Sequence, residues 1–340
     1  MLFHFDMHRA GQMIEAIAAP DNLRLAFLKA AKGKRAHGCV QAFAARMHEE
    51  IPALHAEILS GAPRVGQYTF FTIKDPKERL ICAAAFRERV LHHAVMNVCE
   101  PFFEAYQIHD SYACRAGKGL HAALARAGGF ARRFPWHVKM DIRKYFDSID
   151  HETLRGLLAR RFKDKKVLAI FNRILSSYQT APGKGVPIGN LLSQHWANFY
   201  LGLFDHWVKE TARIIGYVRY MDDFILWHDN RQALKECCAQ ATAFLRERLR
   251  LAVKNNIQLN RGSYGLPFLG FRVYAHTLRL APRSKRRFVE KLRQYESNHL
   301  QGIWSEGELQ RHMLPLLEFV KTADSGALRA RVITQYGCLS

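Results

Sequence analysis

The stretch Ile214-Ile-Gly-Tyr-Val-Arg-Tyr-Met-Asp-Asp-Phe-Ile-Leu-Trp227 decides the fold of this chain. Apolar residues flank the adjacent acids Asp222 and Asp223, and the pattern predicts a strand, a tight turn and a second strand. Adjacent carboxylates repel each other and are poor strand formers, so a cation is expected to compensate them. A pair of divalent metal ions would do so, although an isolated motif of this kind fits an Asp-rich hairpin turn equally well.

A third carboxylate, Asp141, lies upstream in His137-Val-Lys-Met-Asp-Ile-Arg-Lys-Tyr-Phe-Asp-Ser-Ile-Asp150. Apolar and polar residues alternate from position 138 to 142, which predicts a half-buried strand. A strand that ends at Asp141 beside the Asp222–Asp223 hairpin places three carboxylates at one edge of a sheet. Such a cluster can bind two Mg²⁺ ions about 3.5–4 Å apart, and the backbone carbonyl of Ile142 is a further oxygen ligand of the kind that Mg²⁺ prefers.

Between these acidic segments lies Gly185-Val-Pro-Ile-Gly-Asn-Leu-Leu-Ser-Gln194. Its proline and Gly189 predict a turn, and Gly189 permits the backbone to approach a ligand closely. The residues that follow, 195–204, predict a helix. Taken alone, this pattern is more typical of an ordinary loop that enters a helix than of a ligand site.

The order of these elements resembles the reverse transcriptases. The matching positions are Asp141 and Phe146 for the first palm motif, Gly189 and Ser193 for the second, Tyr220–Asp223 for the third, and Phe268–Phe271 for the primer-grip hairpin. The match is collinear over residues 65–275, and the motifs together are highly specific. The resemblance implies RNA-directed DNA polymerase activity and an α+β fold with the right-hand architecture of fingers, palm and thumb, preceded here by a helical N-terminal extension.

The resemblance also implies roles for individual residues. Asp141, Asp222 and Asp223, with the carbonyl of Ile142, would bind two Mg²⁺ ions, for which Mn²⁺ is an alternative. The implied dNTP contacts are Lys74, Arg79, Phe146, Ile188 and Gly189, and the implied nucleic-acid contacts are Arg115, Lys118, Arg283, Lys285, Arg286 and Arg287. Phe146 would exclude a ribonucleotide 2′-hydroxyl, and its alternative role is that of a core aromatic. Lys254 lies out of phase with the family's fourth motif and receives no general-acid role.

Two departures from the usual family pattern narrow the resemblance. The usual Gln-Gly is replaced by Ile188-Gly189, and the usual Ser-Pro is replaced by Ser193-Gln194. The form I-G-N-L-L-S-Q resembles the reverse transcriptases of diversity-generating retroelements. That resemblance implies that a template-repeat RNA is copied into cDNA mutated at adenines, with a small basic accessory protein as partner.

Other functions remain open at this point. One alternative is another bacterial reverse transcriptase, from a retron, a defence system or an intron, although the Val-Thr-Gly motif of retron thumbs is absent. A second alternative is a non-catalytic RNA-binding relative that has kept the fold. The intact acids at positions 141, 222 and 223 argue against that second alternative.

Composition agrees with a polyanionic partner. The formal net charge is +21 over 340 residues, which favours nucleic acid or a membrane surface as partner. No run of 18 apolar residues occurs, which predicts that no helix spans a membrane. The N-terminus lacks the pattern of a signal peptide, so a cytoplasmic location is predicted. The seven cysteines are scattered, which predicts reduced thiols, mostly in the core, and no zinc site.

Three regions are predicted along the chain. Residues 1–60 form a helical N-terminal extension, and Gly61-Ala-Pro63 marks a break before the fingers and palm at 61–275. Residues 79–106 contain an amphipathic helix with apolar residues at four-residue spacing. A basic helical thumb is predicted over 276–340, where the cations are Arg279, Arg283, Lys285, Arg286, Arg287, Lys291 and Arg293. These cations suit a duplex backbone, although a charge run is also typical of a solvated helix face.

Overall fold

The computed structural model describes residues 12–74 and 78–336. The helices in this part are α1 Ile14–Ala18, α2 Pro20–Ala31, α3 Gly38–Ala45, α4 Met47–Leu59, α5 Phe86–Glu104, α6 Leu120–Arg133, α7 Tyr145–Ser148, α8 His151–Arg161, α9 Lys165–Ser176, α10 Leu191–His206, α11 Arg231–Leu249, α12 Pro282–Leu300, α13 Glu306–Lys321 and α14 Gly326–Tyr336. A π-helical turn spans Trp207–Thr211, and a 3₁₀ turn spans Gly262–Tyr264. The strands are β1 Tyr68–Lys74, β2 Glu78–Ala84, β3 Trp136–Asp141, β4 Gly216–Tyr220, β5 Asp223–His228, β6 Gln258–Arg261, β7 Leu266–Phe268, β8 Phe271–Val273 and β9 Leu278–Leu280.

The chain divides into two compact units. The first comprises the described residues of Met1–His109, Ile142–Thr211 and Ala241–Lys254. The second comprises those of Asp110–Asp141, Ala212–Gln240 and Asn255–Ser340. The chain passes from the second unit to the first between Asp141 and Ile142.

Residues 12–60 are mainly helical, with short turns between the helices. The four helices are α1 to α4, and the predicted break after α4 is an irregular segment that leads to β1. The predicted amphipathic helix is α5, which buries Val90 and Ala94 completely. Phe86 on α5 packs edge-on against Phe27 and Phe43, with ring centroids 6.0 and 5.5 Å away. Apolar and aromatic side chains on one face of α5 therefore pack this helix against α2 and α3.

The short helix α7 follows Asp141 and is followed at once by α8. Asp150 caps α8, because its Oδ1 accepts a hydrogen bond from the Thr153 amide at 2.9 Å. Ser148 donates its hydroxyl to the Arg143 carbonyl. The Asp150 side chain satisfies one of the amides that every helix start leaves without an intrahelical partner.

The second unit is built on a four-stranded antiparallel sheet with the order β4-β5-β3-β6. A separate three-stranded sheet, β7-β8-β9, contains the predicted primer-grip hairpin, in which Phe268 pairs with Phe271. Val218, Ile225 and Trp227 from the first sheet share one buried cluster with α6 and with the second sheet. One face of the four-stranded sheet is thus covered by apolar packing.

The basic region after residue 276 begins with a strand. Arg279 lies on β9, so its predicted place in a helix is wrong, and the helical part begins at Pro282. Proline suits the first helical position because its fixed φ is helical and its missing N–H has no intrahelical partner there. The later cations from Arg283 to Arg293 do lie on α12, as predicted.

Among the described helices, none is both long enough and apolar enough to cross a bilayer. Cys82, Cys99 and Cys237 are buried free thiols, whereas Cys39 and Cys114 are exposed. The predictions for the extreme N-terminus and for Cys338 fall on residues 1–11 and 337–340, which lie outside the described part.

Candidate functional site

The β4–β5 hairpin presents Asp222 and Asp223 as its sequence predicted. Tyr220 pairs with Asp223, and the two residues between them form the turn. Met221 adopts φ +58°, in the left-handed region that non-glycine residues seldom occupy. Such a conformation costs of the order of 1 kcal/mol and is found most often at functional sites. The turn therefore fixes the direction of the two acidic side chains at the expense of local stability.

Asp141, the last residue of β3, lies directly opposite Asp223 in the β3–β5 register. The structure therefore brings two of the three predicted carboxylates side by side, with Asp222 next along the chain. The pKa of Asp223 is raised to about 6, mainly because burial disfavours the charged form. Lys139 opposes this shift, and the neighbouring Asp141 and Asp222 add to it. A nearby cation stabilises the charged form of an acid in such a setting.

Lys139 supplies a positive charge at this point. Its Nζ lies 2.8 Å from Asp223 Oδ2 and donates a hydrogen bond to the Pro267 carbonyl at 2.9 Å. Lys139 and Asp141 are two residues apart on β3, so both side chains lie on the same face of the sheet. Sequence reasoning missed this residue, and its spacing from Asp141 is the signal that would have identified it.

The carboxylates have the donor chemistry for a hard divalent metal, since Mg²⁺ prefers oxygen ligands. Asp223 Oδ1 is buried and reaches no hydrogen-bond partner among the described residues. A bound cation would satisfy such a buried acceptor. Across residues 12–74 and 78–336, however, no three His, Cys, Asp or Glu side chains already have metal-binding geometry. The residues fit the ion by type and position, but the described side chains do not form a ready three-ligand centre.

Arg219 supports the turn from within β4 and was also missed from the sequence. The side chain is completely buried, and Nη1 donates a hydrogen bond to the Met221 carbonyl at 3.0 Å. Its backbone N–H donates to Asp110, and its carbonyl accepts from Tyr112, so a short segment pairs with β4. An arginine within an otherwise apolar strand is the only signal in the sequence for this role.

The predicted nucleic-acid contacts Arg115 and Lys118 follow that segment. Arg115 Nη1 donates to the Ser111 carbonyl at 2.6 Å, and Lys118 Nζ lies 5.1 Å from the centroid of the Tyr112 ring. Both side chains are half-buried. These contacts orient the two cations from the loop that precedes α6.

The predicted triphosphate contacts lie on the β1–β2 hairpin of the first unit. Lys74 ends β1 and pairs with Glu78 on β2, and Arg79 pairs with Ile73. Both cations are exposed, and Lys74 Nζ lies 3.7 Å from an exposed Glu78 carboxylate. Residues 75–77, between these two strands, lie outside the described part. An exposed ion pair of this kind contributes little to stability, so both cations remain available to an anionic ligand.

Ile188 and Gly189 lie against β2 in the same unit. The Cys82 amide donates to the Ile188 carbonyl at 2.8 Å, which extends the hairpin by one backbone pairing. Gly189 has φ +115°, and a Cβ there would lie 2.8 Å from Ile81 Cγ2 and 3.2 Å from the Cys82 carbonyl oxygen. Glycine at this position is thus required both by its backbone conformation and by the close approach to β2.

Phe146 is held to the same loop by its backbone, because its carbonyl accepts a hydrogen bond from the Val186 amide at 2.9 Å. Its side chain is half-buried beside Tyr145, with ring centroids 5.9 Å apart. Ile142, the predicted carbonyl ligand, has a fully buried side chain and forms an isolated bridge with Val253. Within the first unit, a backbone hydrogen bond therefore connects Phe146 to the loop that contains Gly189.

A buried polar network lies at the base of the β1–β2 hairpin and was not predicted. Tyr68 Oη lies 2.7 Å from Ser177 Oγ and donates to Glu88 Oε1 at 3.4 Å, while Glu88 Oε2 accepts from the Gly66 amide at 2.8 Å. Glu88 and His92 are almost completely buried, with His92 Nε2 3.5 Å from Glu88 Oε1. This network fixes the first residue of β1, whereas the other six residues of β1 and the first three of β2 are exposed.

The predicted thumb cations begin α12. Arg283, Lys285 and Arg286 are exposed, and Arg287 is half-buried. The buried side of this helix is apolar, with Phe288 and Leu292 in the core. Arg283, Lys285 and Arg286 thus lie on the solvent face of α12.

Comparison with known proteins gives the family. The family model described as Reverse transcriptase (RNA-dependent DNA polymerase) matches residues 73–273. Protein YkfC of Escherichia coli is 24% identical over 259 residues, which cover 63% of this chain and 66% of YkfC. The group II intron-encoded protein LtrA of Lactococcus lactis is 31% identical over 143 residues, which cover 39% of this chain and 23% of LtrA. The chain thus spans less than two thirds of either relative.

Comparison with solved structures gives the fold. Apo telomerase from Candida Tropicalis matches with a TM-score of 0.52 and 12% sequence identity, covering 81% of this chain and 60% of that chain. A telomerase from the same organism in complex with a fragment of telomeric RNA matches with a TM-score of 0.50 and 13% identity, covering 79% of this chain and 55% of that chain. These likenesses confirm the predicted α+β polymerase fold.

Proposed function

This chain belongs to the reverse transcriptase family, and on that premise we propose that it is an RNA-directed DNA polymerase that copies an RNA template into cDNA. The observation that carries the proposal is the register of β3 and β5, which sets Asp141 opposite Asp223 with Asp222 at the adjoining turn. Two-metal nucleotidyl transfer needs carboxylates grouped in this way. We assign residues 61–275 to fingers and palm, and 276–340 to the thumb.

The carboxylates and the Ile142 carbonyl would hold two Mg²⁺ ions, which activate the attacking hydroxyl and neutralise the leaving pyrophosphate. The chain's own residues prepare that site. Lys139 holds one oxygen of Asp223 and the Pro267 carbonyl of the primer-grip hairpin, so it joins the catalytic strand to the segment that would position a primer end. Arg219 supports the turn that carries the two adjacent acids.

The nucleotide would be held mainly by charge. Lys74 and Arg79 would neutralise the triphosphate, since positioning and electrostatics dominate phosphoryl-transfer chemistry. The half-buried Phe146 would lie beneath the sugar and exclude a 2′-hydroxyl. A Phe146→Ala variant should then incorporate ribonucleotides more readily relative to deoxynucleotides. Unchanged discrimination between the two kinds of nucleotide would show that Phe146 serves only as a core aromatic.

Primer extension on poly-rA in Mg²⁺ tests the polymerase proposal. Asp141→Asn and Asp222→Asn should abolish extension while RNA binding is nearly unchanged, because each amide keeps the shape but loses the charge that binds metal. Asp229→Asn is the matched control, since Asp229 is exposed just beyond β5 and should not matter. Extension at near wild-type rates by either of the first two variants would contradict the assignment.

We further propose that the enzyme belongs to a diversity-generating retroelement and makes errors at template adenines. The support is the motif I-G-N-L-L-S-Q at 188–194, in which apolar Ile188 replaces the usual Gln. Its backbone is anchored on β2, so the substitution changes only the side chain offered to a ligand. A lost hydrogen bond of about 0.5–1.5 kcal/mol lowers discrimination by a factor of roughly 2–13 if it favoured the correct pair.

Sequencing of cDNA made on one template tests this second proposal. Ile188→Gln should lower misincorporation opposite template adenine while extension is largely preserved. Ile188→Val is the matched control, because it keeps an apolar β-branched side chain. Equal adenine error rates in the wild type and Ile188→Gln would show that Ile188 only packs.

A small basic accessory protein is proposed as partner, on the strength of the same resemblance. Because this chain carries a net charge of +21, two basic proteins would associate through shared RNA or through an apolar contact. The isolated chain should therefore initiate cDNA poorly on its own template RNA. Efficient, template-specific initiation by the purified chain alone would contradict this proposal.

A further inference from the structure

We propose that a pocket beside the start of β3 binds an unstacked nucleobase of an RNA strand together with its phosphate. The cavity has a volume of about 540 Å³, and the residues that line it include Phe134, Trp136, Tyr274 and His276. That volume lies within the range of small-molecule sites. Aromatic walls are the usual platform for bases that have left a stack.

Arginines surround these aromatic walls. The pairs, with the distance from guanidinium carbon to ring centroid, are Arg133 on Phe134 at 5.0 Å, Arg261 on Trp136 at 5.0 Å, Arg231 on Trp136 at 5.7 Å, and Arg279 on Tyr274 at 5.6 Å. Arg261 also lines the cavity itself and lies directly opposite Trp136 in the β3–β6 register. Phe134, Trp136 and Tyr274 thus each have at least one arginine guanidinium beside the ring.

This combination favours a nucleic-acid ligand over other occupants. No Asp or Glu is among the residues that line the cavity, so nothing there repels a phosphate. Gly262, Ser263 and Ala275 also line the cavity, and these small residues leave room for a flat ring. A guanidinium that rests on an aromatic ring still offers its outer face, on which a base can stack.

Simple packing explains the arginine–aromatic pairs less well. Surface arginines often lay their aliphatic stems on apolar rings, but that arrangement fills space and leaves no cavity. Here Trp136, Tyr274 and Arg261 line an open cavity, and Trp136 and Tyr274 are half-buried while Arg261 is exposed. These three side chains are therefore accessible to a ligand.

The pocket and the carboxylates lie at opposite ends of β3. Trp136 begins the strand and Asp141 ends it, a separation of about 17 Å at the rise of an extended strand. A base in this pocket is therefore separate from the nucleotide at the carboxylates. An RNA strand and a free mononucleotide both contain the base and the phosphate that this pocket would bind. We assign the site to the strand.

Photocrosslinking tests the site directly. A 20-nucleotide RNA that contains 4-thiouridine should crosslink to peptides that include 131–136 or 261–277, as located by mass spectrometry. Competition with excess unlabelled RNA but not with AMP supports a strand as the source. Competition by AMP at the same base concentration supports a free nucleotide instead, and crosslinks confined to other peptides would overturn the pocket.

Binding by paired probes tests the stacking. Trp136→Leu should weaken binding of the RNA by about 5- to 150-fold, the range for one lost base stack. It should leave binding of an abasic strand of equal length unchanged, because the phosphates are the same. Arg261→Gln removes an exposed side chain and so tests the site without risk to the core, whereas Arg246→Gln, exposed on α11, is the matched control.

Equal loss for the RNA and the abasic strand in Trp136→Leu, or no loss in Arg261→Gln, would contradict the proposal. Neither readout requires nucleotide transfer. A failure here is therefore distinct from a failure of primer extension, which would count against the polymerase function instead.

Discussion

Two hairpins of this molecule carry the predicted chemistry, and they are built in opposite ways. β4–β5 lies inside a four-stranded sheet, and its residues from Gly216 to Arg219 and from Phe224 to Trp227 are buried. β1–β2 is a two-stranded sheet of its own, and six of the seven residues of β1 are exposed. The buried hairpin β4–β5 carries the carboxylates, whereas the largely exposed hairpin β1–β2 carries the cations Lys74 and Arg79.

The exposed hairpin also shows large apolar side chains to solvent. Phe70 is 51% exposed, Phe71 48% and Leu80 54%. A two-stranded hairpin alone is only marginally stable in water, and here the buried network at Tyr68 and Glu88 holds its base. Substrate contact is therefore expected to order β1–β2, while β4–β5 is ordered before any ligand arrives. The comparison predicts that changes in the buried hairpin alter stability and that changes in the exposed one alter binding.

The largest effect is expected at Lys139. Lys139→Met removes the cation from Asp223, which leaves a carboxylate with little exposure beside two others. Breaking such a pair costs about 3–5 kcal/mol when fully buried, and partial solvent exposure reduces this to about 2–3 kcal/mol here. Urea unfolding in the absence of divalent metal would measure the loss.

A double variant provides the control for Lys139. Lys139→Met with Asp223→Asn should regain much of the lost free energy of unfolding, since the stranded charge is gone. Added Mg²⁺ should stabilise Lys139→Met more than the wild type, because the ion replaces the missing cation. A Lys139→Met protein as stable as Lys139→Arg would show that the ion pair contributes nothing.

The same sheet should make the protein acid-sensitive through His137. Burial lowers the pKa of His137 to about 4, against an ordinary value of 6.5, so the folded chain excludes a proton that the unfolded chain accepts. The free energy of unfolding therefore falls as the pH drops below 6.5, by about 2 kcal/mol from this residue between pH 7.5 and 5. His137→Leu should flatten the pH profile over that interval, and an unaltered slope would assign the acid sensitivity to other groups.

A smaller effect is expected where the loop that contains Ile188 and Gly189 meets the exposed hairpin. Gly189→Ala would force a Cβ into β2 at a positive φ, at a cost of about 1–3 kcal/mol. The dNTP KM should rise with it, because β2 carries Arg79. Gly183→Ala is the control, since it shares a positive φ but meets no atoms within 4 Å. Similar KM values in both variants would show that the contact with β2 does not position the hairpin.

The smallest effect on stability is expected at the hairpin's own cations. Lys74→Gln and Arg79→Gln should each raise the dNTP KM by about tenfold, the equivalent of one charge-assisted contact. The free energy of unfolding should change by less than about 0.5 kcal/mol, because both side chains are exposed. Glu78→Gln on the same hairpin is the matched control. A loss of stability without a change in KM would contradict the expectation that the exposed hairpin acts in binding rather than in stability.

Much of this arrangement could be predicted from local pattern. Alternating apolar residues around Asp141 and on both sides of Asp222 and Asp223 predicted β3, β4 and β5, and four-residue spacing predicted α5. The misplaced Arg279 shows the limit, because three residues of β9 are too few to show a period and the neighbouring cations suggested a helix. The domain boundaries and the roles of the site residues remain predictions.

By itself the sequence determined β3, β4, β5 and α5 and identified candidate polymerase residues, because periodicity and motif spacing act over a few residues. Tertiary structure alone decided the partners of those residues. Lys139 meets Asp223 across a strand pair, and Arg219 reaches the Met221 carbonyl from inside a sheet. Trp136 and Arg261, 125 positions apart, face one another only because β3 and β6 are neighbours. Pairing between distant strands depends on the packing of the whole sheet, and no local pattern of residues records it.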